Sequence, residues 1–230
     1  MDNVRLENVC KRYRLRNGVT TVLDNVTFSF PKGYNIAILG LNGAGKSTLI
    51  RLIAGAEEPN SGRILRFANI SWPLGFAGGV AGSMTGKEGT RFVARIYGKD
   101  VDETEDFVRS FADLGDHYFM PVKTYSSGMR ARLAFGISMA IDFDCYLVDE
   151  ILAVGDAVFR KKCEEVFASK LQKSDIIMVA HSPTLLRRYC DAAAILRNGK
   201  LVFYPDLEEG IRTYNEFIKR MQEEASQAPR

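Results

Sequence analysis

Much that would place this chain at a glance is missing. Its four cysteines, Cys10, Cys145, Cys163 and Cys190, are scattered through 230 residues. No two form a C-x-x-C pair, which leaves no zinc site or disulfide framework and suits a reducing compartment. No stretch of about 18 apolar residues occurs, so no membrane-spanning helix is expected. The formal net charge is only +3, with no block of like charges. That argues against a nucleic-acid-binding surface and a charged tail. The opening MDNVRLENVCKRYR is charged at once and lacks an apolar core, so no signal peptide is expected there. Short-period repeats and low-complexity tracts are absent. Glutamine is confined to Gln172, Gln222 and Gln227, and tryptophan to Trp72.

What is present is a core. Hydrophobic residues make up 46% of the chain, enough for one large domain or two small lobes. Val4–Val9 and Val22–Phe30 read as strands, with Asn17-Gly18 as a hairpin signal. Tyr34–Leu39 is a short apolar run, as in a strand buried on both faces. A glycine-rich turn and a helix over Lys46–Ala54 follow, then a strand over Arg63–Ile70. The middle changes texture. Lys87–Tyr97, Asp102–Phe111 and Ser127–Ile141 have helical spacing. Strands then return at Cys145–Val148 and Ile176–Ala180, around a helix at Val158–Gln172. Ala192–Leu196 and Leu201–Tyr204 flank Asn198-Gly199, and Asp206–Met221 reads as a closing helix. Alternating strands and helices imply a largely parallel sheet.

Two motifs carry chemistry. Gly40-Leu-Asn42-Gly43-Ala44-Gly45-Lys46-Ser47, followed by Thr48, fits the P-loop pattern between a buried strand and a helix. Glycines let backbone N–H groups approach a triphosphate, and the helix N-terminus adds a favourable dipole. Lys46 would reach the β- and γ-phosphates, and Ser47 would hold Mg²⁺. The second motif is Cys145-Tyr-Leu-Val-Asp149-Glu150, an apolar strand ending in two carboxylates. Asp149 would bind the metal, and Glu150 would orient or deprotonate the attacking water. Taken alone, the pair reads equally well as a solvated acidic turn.

Tyr125-Ser126-Ser127-Gly128-Met129 completes the set. It resembles a variant of LSGGQ, the signature of the ATP-binding cassette (ABC) ATPases, and the likeness extends over nearly the whole chain. The resemblance implies an α/β fold: a RecA-like P-loop NTPase core, an antiparallel β subdomain and an inserted helical subdomain. The boundaries expected are one domain over 1–230, with the core lobe at about 1–70 and 143–205. The helical part would be about 71–142, and a C-terminal helix and tail about 206–230. It further implies ATP and Mg²⁺ as cofactors. Tyr13 matches the aromatic that stacks on adenine, although it also reads as an ordinary strand tyrosine. His181 matches the switch histidine at the γ-phosphate. Ser126, Ser127 and Gly128 would close over the phosphates held by a second copy, and Ala153–Asp156 would lie at that dimer interface.

Two departures stand out. The signature has Ser127 for a glycine and Met129 for a glutamine. The glutamine usually found after the strand at Arg63–Ile70 is missing, and water or backbone near Leu74–Gly75 would replace it.

SWPLGFAGGVAGSMTG (71–86), GTRFVARIYG, MPVKTYSSGMRARLAFG and YLVDEILAVGDA bring the chain closest to the ATPase subunits of bacterial capsular polysaccharide exporters. That resemblance implies a homodimer on the cytoplasmic face of the inner membrane. It would sit beneath a separate permease, with periplasmic and outer-membrane export components reached through it, and with no nucleic-acid partner. Other exporters of O-antigen, teichoic acid or drugs form the alternative, with soluble ABC ATPases acting on ribosomes or nucleic acid further off. Residues 71–86 have two readings. They form either a permease contact built on Trp72, Leu74, Phe76 and Val80 with glycine hinges, or a loop folded on its own core.

Overall fold

The computed structural model describes residues 1–15, 18–74, 80–149, 156–180 and 182–227, with side chains to residue 224. The elements, in chain order, are β1 (Asp2–Leu15), β2 (Gly18–Pro31), β3 (Ile36–Leu39), α1 (Lys46–Ala54), β4 (Ser61–Arg66), β5 (Ile70–Pro73), α2 (Gly86–Ile96), α3 (Val101–Ala112), α4 (Ser127–Ala140), β6 (Cys145–Asp149), α5 (Ala157–Leu171), β7 (Asp175–Val179), α6 (Pro183–Tyr189), β8 (Ala192–Arg197), β9 (Lys200–Tyr204) and α7 (Leu207–Gln227). They fall into two compact units, Met1–Ile70 with Asp175–Arg230, and Ser71–Ser174.

The first unit holds an antiparallel sheet in the order β2-β1-β4. A bulge in β1 decides which side chains this sheet turns inward. Val4 and Leu6 are buried, then the parity changes and Val9 and Lys11 are buried instead. The change falls at Asn8, whose φ is +52°, between the Leu6 and Val9 pairings. Asparagine tolerates this left-handed conformation because its short amide bonds locally. Here the amide oxygen accepts from Thr27 Oγ1 at 3.1 Å, and the Asn8 N–H donates to the same hydroxyl. One extra residue flips every later side chain to the opposite face. Lys11 and Tyr13 therefore turn to the side that Val9 faces.

The same unit carries β7-β3-β8-β9. β3 lies parallel to β7 and β8, and β9 runs antiparallel to β8. All four residues of β3 are buried, as a strand covered on both faces requires.

In the second unit β5 lies beside β6. Leu74 N–H donates to the Leu147 carbonyl at 2.9 Å, and Leu147 N–H donates to Ser71 Oγ at 2.8 Å. Trp72 meets Tyr97 and Phe143 edge-on at 5.4 and 5.3 Å, and its indole N–H donates to Ser138 Oγ at 2.8 Å. Around Phe111 gather Phe107, Phe135 and Phe159. α2 opens with a capping box. Glu88 N–H donates to Thr85 Oγ1, while Thr85 N–H donates to Glu88 Oε2.

The strand expected over Arg63–Ile70 is two strands in two different sheets, β4 and β5. Arg66 explains the break. Its guanidinium donates to the carbonyls of Ile53 and Leu52, both at 2.7 Å, and so occupies the C-terminal end of α1. The short helix α6 was not anticipated, although its Ser182 cap and Pro183 at the first turn are start signals.

Candidate active site

The P-loop runs from the C-terminal end of β3 into α1. Gly43 and Gly45 have φ of 78° and 100°, a region L side chains avoid. A Cβ at Gly45 would also overlap Cγ1 of Val22. α1 begins at Lys46 with no side-chain cap, because its N-cap residue is Gly45. The first N–H groups of a helix have no intrahelical acceptor, so this end of α1 presents donors and a positive dipole together. Lys46 Nζ donates to the carbonyls of Gly40 at 2.7 Å and Leu41 at 3.1 Å, arched over the loop. Asn42 and Ser47 are exposed, Ala44 is half-buried and Thr48 is buried. Close backbone approach, a cation and two hydroxyls are what a nucleotide triphosphate with Mg²⁺ requires, and these residues fit both.

Tyr13 is half-buried on β1 and reaches α1 across the bulge-set face. Its hydroxyl donates to Glu57 Oε1 at 2.6 Å and lies 3.3 Å from Thr48 Oγ1. Burial pushes the Glu57 carboxyl up. Bonds from Tyr13, Lys11 and Arg51 outweigh that and hold it down at about 2. Glu57, Lys11 and Arg51 were not singled out from sequence. Glu57 and Arg51 lie some forty positions from Tyr13, and the meeting depends on the bulge at Asn8. A cavity of about 290 Å³ also adjoins the loop, with Gly40, Lys46, Ala180, Arg187, Tyr214 and Asn215 among its lining.

The second unit holds the other candidates. Ser126 is the N-cap of α4, its hydroxyl accepting from Met129 N–H at 3.2 Å. Ser127 and Gly128 are exposed in the first turn. Among the described residues, a Cβ added at Gly128 would meet nothing closer than Ser126 Oγ at 3.9 Å. Packing of the described residues does not demand a glycine there. Arg130 secures the approach by donating to the Tyr125 carbonyl at 2.6 Å. Asp149 is half-buried at the C-terminal end of β6. Asp156 caps α5 through Phe159 N–H at 2.9 Å and pairs with Arg132 of the signature helix at 2.6 Å. Sequence reasoning did not select Arg130 or Arg132, because their carbonyl and carboxylate partners appear only in three dimensions.

Several expected residues lie outside the described set: Glu150, Ala153, Val154, Gly155, His181, and Gly75, Phe76, Gly78 and Gly79 of the 71–86 segment. Of that segment's other apolar residues, Leu74 is buried and Trp72 and Val80 are half-buried. Trp72 thus packs in its own unit.

The model of the family described as "ABC transporter" matches residues 23–153. The polysialic acid transport ATP-binding protein KpsT of Escherichia coli is 52% identical over 92% of this chain and 98% of its own length. The ATP-binding protein BexA of Haemophilus influenzae is 49% identical over 94% and 100%. The teichoic acids export ATP-binding protein TagH of Staphylococcus epidermidis is 34% identical over 94% and 89%. Among solved structures, an ATP-binding subunit of an ABC transporter superposes with a TM-score of 0.70 at 23% identity, covering 92% of this chain and 93% of that one. The ATP-binding cassette MJ0796, dimeric and bound to ADP and Pi, gives 0.69 at 18% identity over 86% and 96%. These two likenesses carry the fold: a RecA-like P-loop core with antiparallel and helical subdomains.

Proposed function

Because this chain belongs to the ABC transporter family, as an ATP-binding and ATP-hydrolysing subunit, we propose that it powers export of a lipid-linked capsular polysaccharide through a permease made by a separate chain. One observation carries the nucleotide part. A sterically enforced P-loop and a signature turn with open space at Gly128 occur in one chain. Relatives at 52% and 48% identity, each matched over 98% of its own length, are named for polysialic acid transport and capsule polysaccharide export, which supports the substrate class. The teichoic acid relatives, at 34–35% identity, support a second reading in which the cargo is teichoic acid.

In this reading the P-loop N–H groups and Lys46 bind the phosphates, with Gly40, Asn42, Gly43, Ala44, Gly45 and Thr48 forming the cradle. Ser47 and Asp149 would hold Mg²⁺, which would neutralise charge on the phosphates when bound. Glu150 directs the attacking water, and His181 contacts the γ-phosphate. Tyr13 stacks on adenine. Ser126, Ser127 and Gly128 come from a second copy, so the working unit is a homodimer. That dimer sits at the cytoplasmic face of the inner membrane. No helix among the described residues is long and apolar enough to cross it, and the permease supplies the path. Its contact is residues 71–86, with Trp72 anchored in the subunit's own packing.

The test is complementation of capsule-export and teichoic-acid-export strains that lack their own ATPase subunit, with surface glycan as the readout. Restored capsule, lost with Lys46→Ala, is the expected result. Restored teichoic acid export alone favours the second reading, and restoration of neither overturns both. Phe76→Asp should abolish export while leaving ATP binding by the isolated subunit intact; normal export would remove 71–86 from the contact.

A further inference from the structure

Four side chains close a ring of hydrogen bonds beside the P-loop. Tyr13 gives its hydroxyl proton to Glu57 Oε1 at 2.6 Å. A phenol has only one such proton. In the 3.3 Å contact between Tyr13 Oη and Thr48 Oγ1, the threonine is therefore the donor. Thr48 Oγ1 in turn accepts from Arg51 Nη2 at 3.2 Å, and Arg51 Nε returns to Glu57 Oε2 at 3.2 Å. Each donor faces an acceptor all the way round. Lys11 braces the ring from outside. Its ammonium is 2.9 Å from Glu57 Oε1, donates to the Glu58 carbonyl at 2.7 Å, and lies 5.2 Å from the centre of the Tyr13 ring. One face of that ring is thus met by a cation, and a base would stack on the other.

The carboxylate is the hub. It accepts from Tyr13, Arg51 and Lys11, which come from β1 and α1, while Glu57 itself follows α1. A stacking aromatic works best when its orientation is fixed before the ligand arrives, because immobilising a side chain on binding weakens affinity.

We propose that Glu57 is a positioning residue for adenine recognition: it holds Tyr13 in one orientation and ties it, through Thr48 and Arg51, to the helix that binds the phosphates. This rests on the reading of Tyr13 as the base-stacking aromatic. Glu57 touches no nucleotide and acts through Tyr13. Its loss should therefore weaken recognition of the base and spare recognition of the phosphates.

The test measures Kd by calorimetry, with Mg²⁺, for ATP and for inorganic tripolyphosphate, which has no base. The variants are Glu57→Gln, Tyr13→Phe, the two combined, and Tyr13→Ala. Tyr13→Phe keeps the ring and every charge, so it stays informative if Glu57→Gln folds poorly. Glu57→Gln and Tyr13→Phe should each weaken ATP binding about 2- to 12-fold, the range expected for releasing one ordered side chain. Tripolyphosphate affinity should not change. The combined variant should be no worse than the weaker-binding single one, since Glu57→Gln weakens and Tyr13→Phe removes the same bond. Equal losses for ATP and tripolyphosphate would make Glu57 a support of the P-loop alone and overturn the proposal. So would weakened ATP binding in Tyr13→Ala with none in Tyr13→Phe or Glu57→Gln. If Tyr13→Ala itself binds ATP normally, the stacking role of Tyr13 fails first, and this proposal with it.

Discussion

Gly45 combines two constraints that are separable by mutation. Its φ of 100° is unfavourable for any L side chain, and a Cβ would run into Val22. Gly45→Ala should lower stability by about 2–4 kcal/mol, adding left-handed strain to overpacking. In urea titrations, Val22→Ala in that background should recover the overlap portion and leave the backbone portion. No recovery would mean that the backbone alone sets the requirement. Asp142 offers a test of a different kind. It accepts from Lys170 at 2.6 Å and Lys99 at 2.7 Å. These bonds, that from Lys170 first, hold its carboxyl at about 2 against partial burial. A carboxyl lowered in the folded state stabilises above its unfolded value, about 3.9, and that contribution fades as pH falls towards the folded value. The side chain is 68% exposed, so solvent screens most of the effect. Asp142→Asn should lower the urea midpoint slightly at pH 7, and the gap should narrow between pH 5 and pH 3. A gap that widens on acidification would contradict the assignment.

At the scale of elements, the bulge in β1 links sequence to site. Asn8 holds φ +52° and turns Lys11 and Tyr13 inward. Asn8→Val should cost about 1–2 kcal/mol or more, since a β-branched residue resists this conformation. It should also weaken ATP binding, because Tyr13 would lose its alignment. Unchanged affinity in a destabilised variant would separate the bulge from the site. α2 depends on its capping box in a similar way, and Thr85→Ala should cost about 1 kcal/mol by thermal or urea unfolding. Such comparisons show where sequence reading works. β3, the P-loop and α1 were legible because their signals are local: four apolar residues, fixed glycines, a lysine and a hydroxyl in a row. The helices of the second unit were legible from apolar spacing, as with Phe107 and Phe111. The β4–β5 break was not, because Arg63–Ile70 is a plausible strand until Arg66 finds the carbonyls of Ile53 and Leu52. Glu57 was hidden for the same reason. Its partners Lys11, Tyr13 and Arg51 are assembled by tertiary structure, and nothing in AGAEEPNSG marks one glutamate over the next. His181, which lies outside the described residues, rests on family resemblance and on its place after the strand expected at Ile176–Ala180, where such sheets place ligands.

At the scale of the whole molecule, the candidate nucleotide residues are divided between the two units. The P-loop and Tyr13 belong to the first, and Asp149 and the signature turn to the second. Gly128 has open space above it that no described residue fills, which suits a phosphate brought by another copy. A trapped state should follow from this arrangement. Glu150→Gln should bind ATP, stall hydrolysis and elute as a dimer in ATP, and near wild-type turnover in the transporter would remove Glu150 from its role. The sharing of sites is tested most directly by ATP hydrolysis in mixed dimers, purified on two different tags and assembled with the permease. Consider Lys46→Ala in one chain and Ser126→Arg in the other. If each site joins the P-loop of one copy to the signature of its partner, both lesions fall in one site and the other remains whole. Placing both substitutions in one chain, opposite a wild-type partner, then damages both sites. Hydrolysis should survive, at a reduced rate, in the first arrangement and vanish in the second. The reverse pattern, activity with both substitutions in one chain and none when they are divided, would mean that each subunit completes its own site.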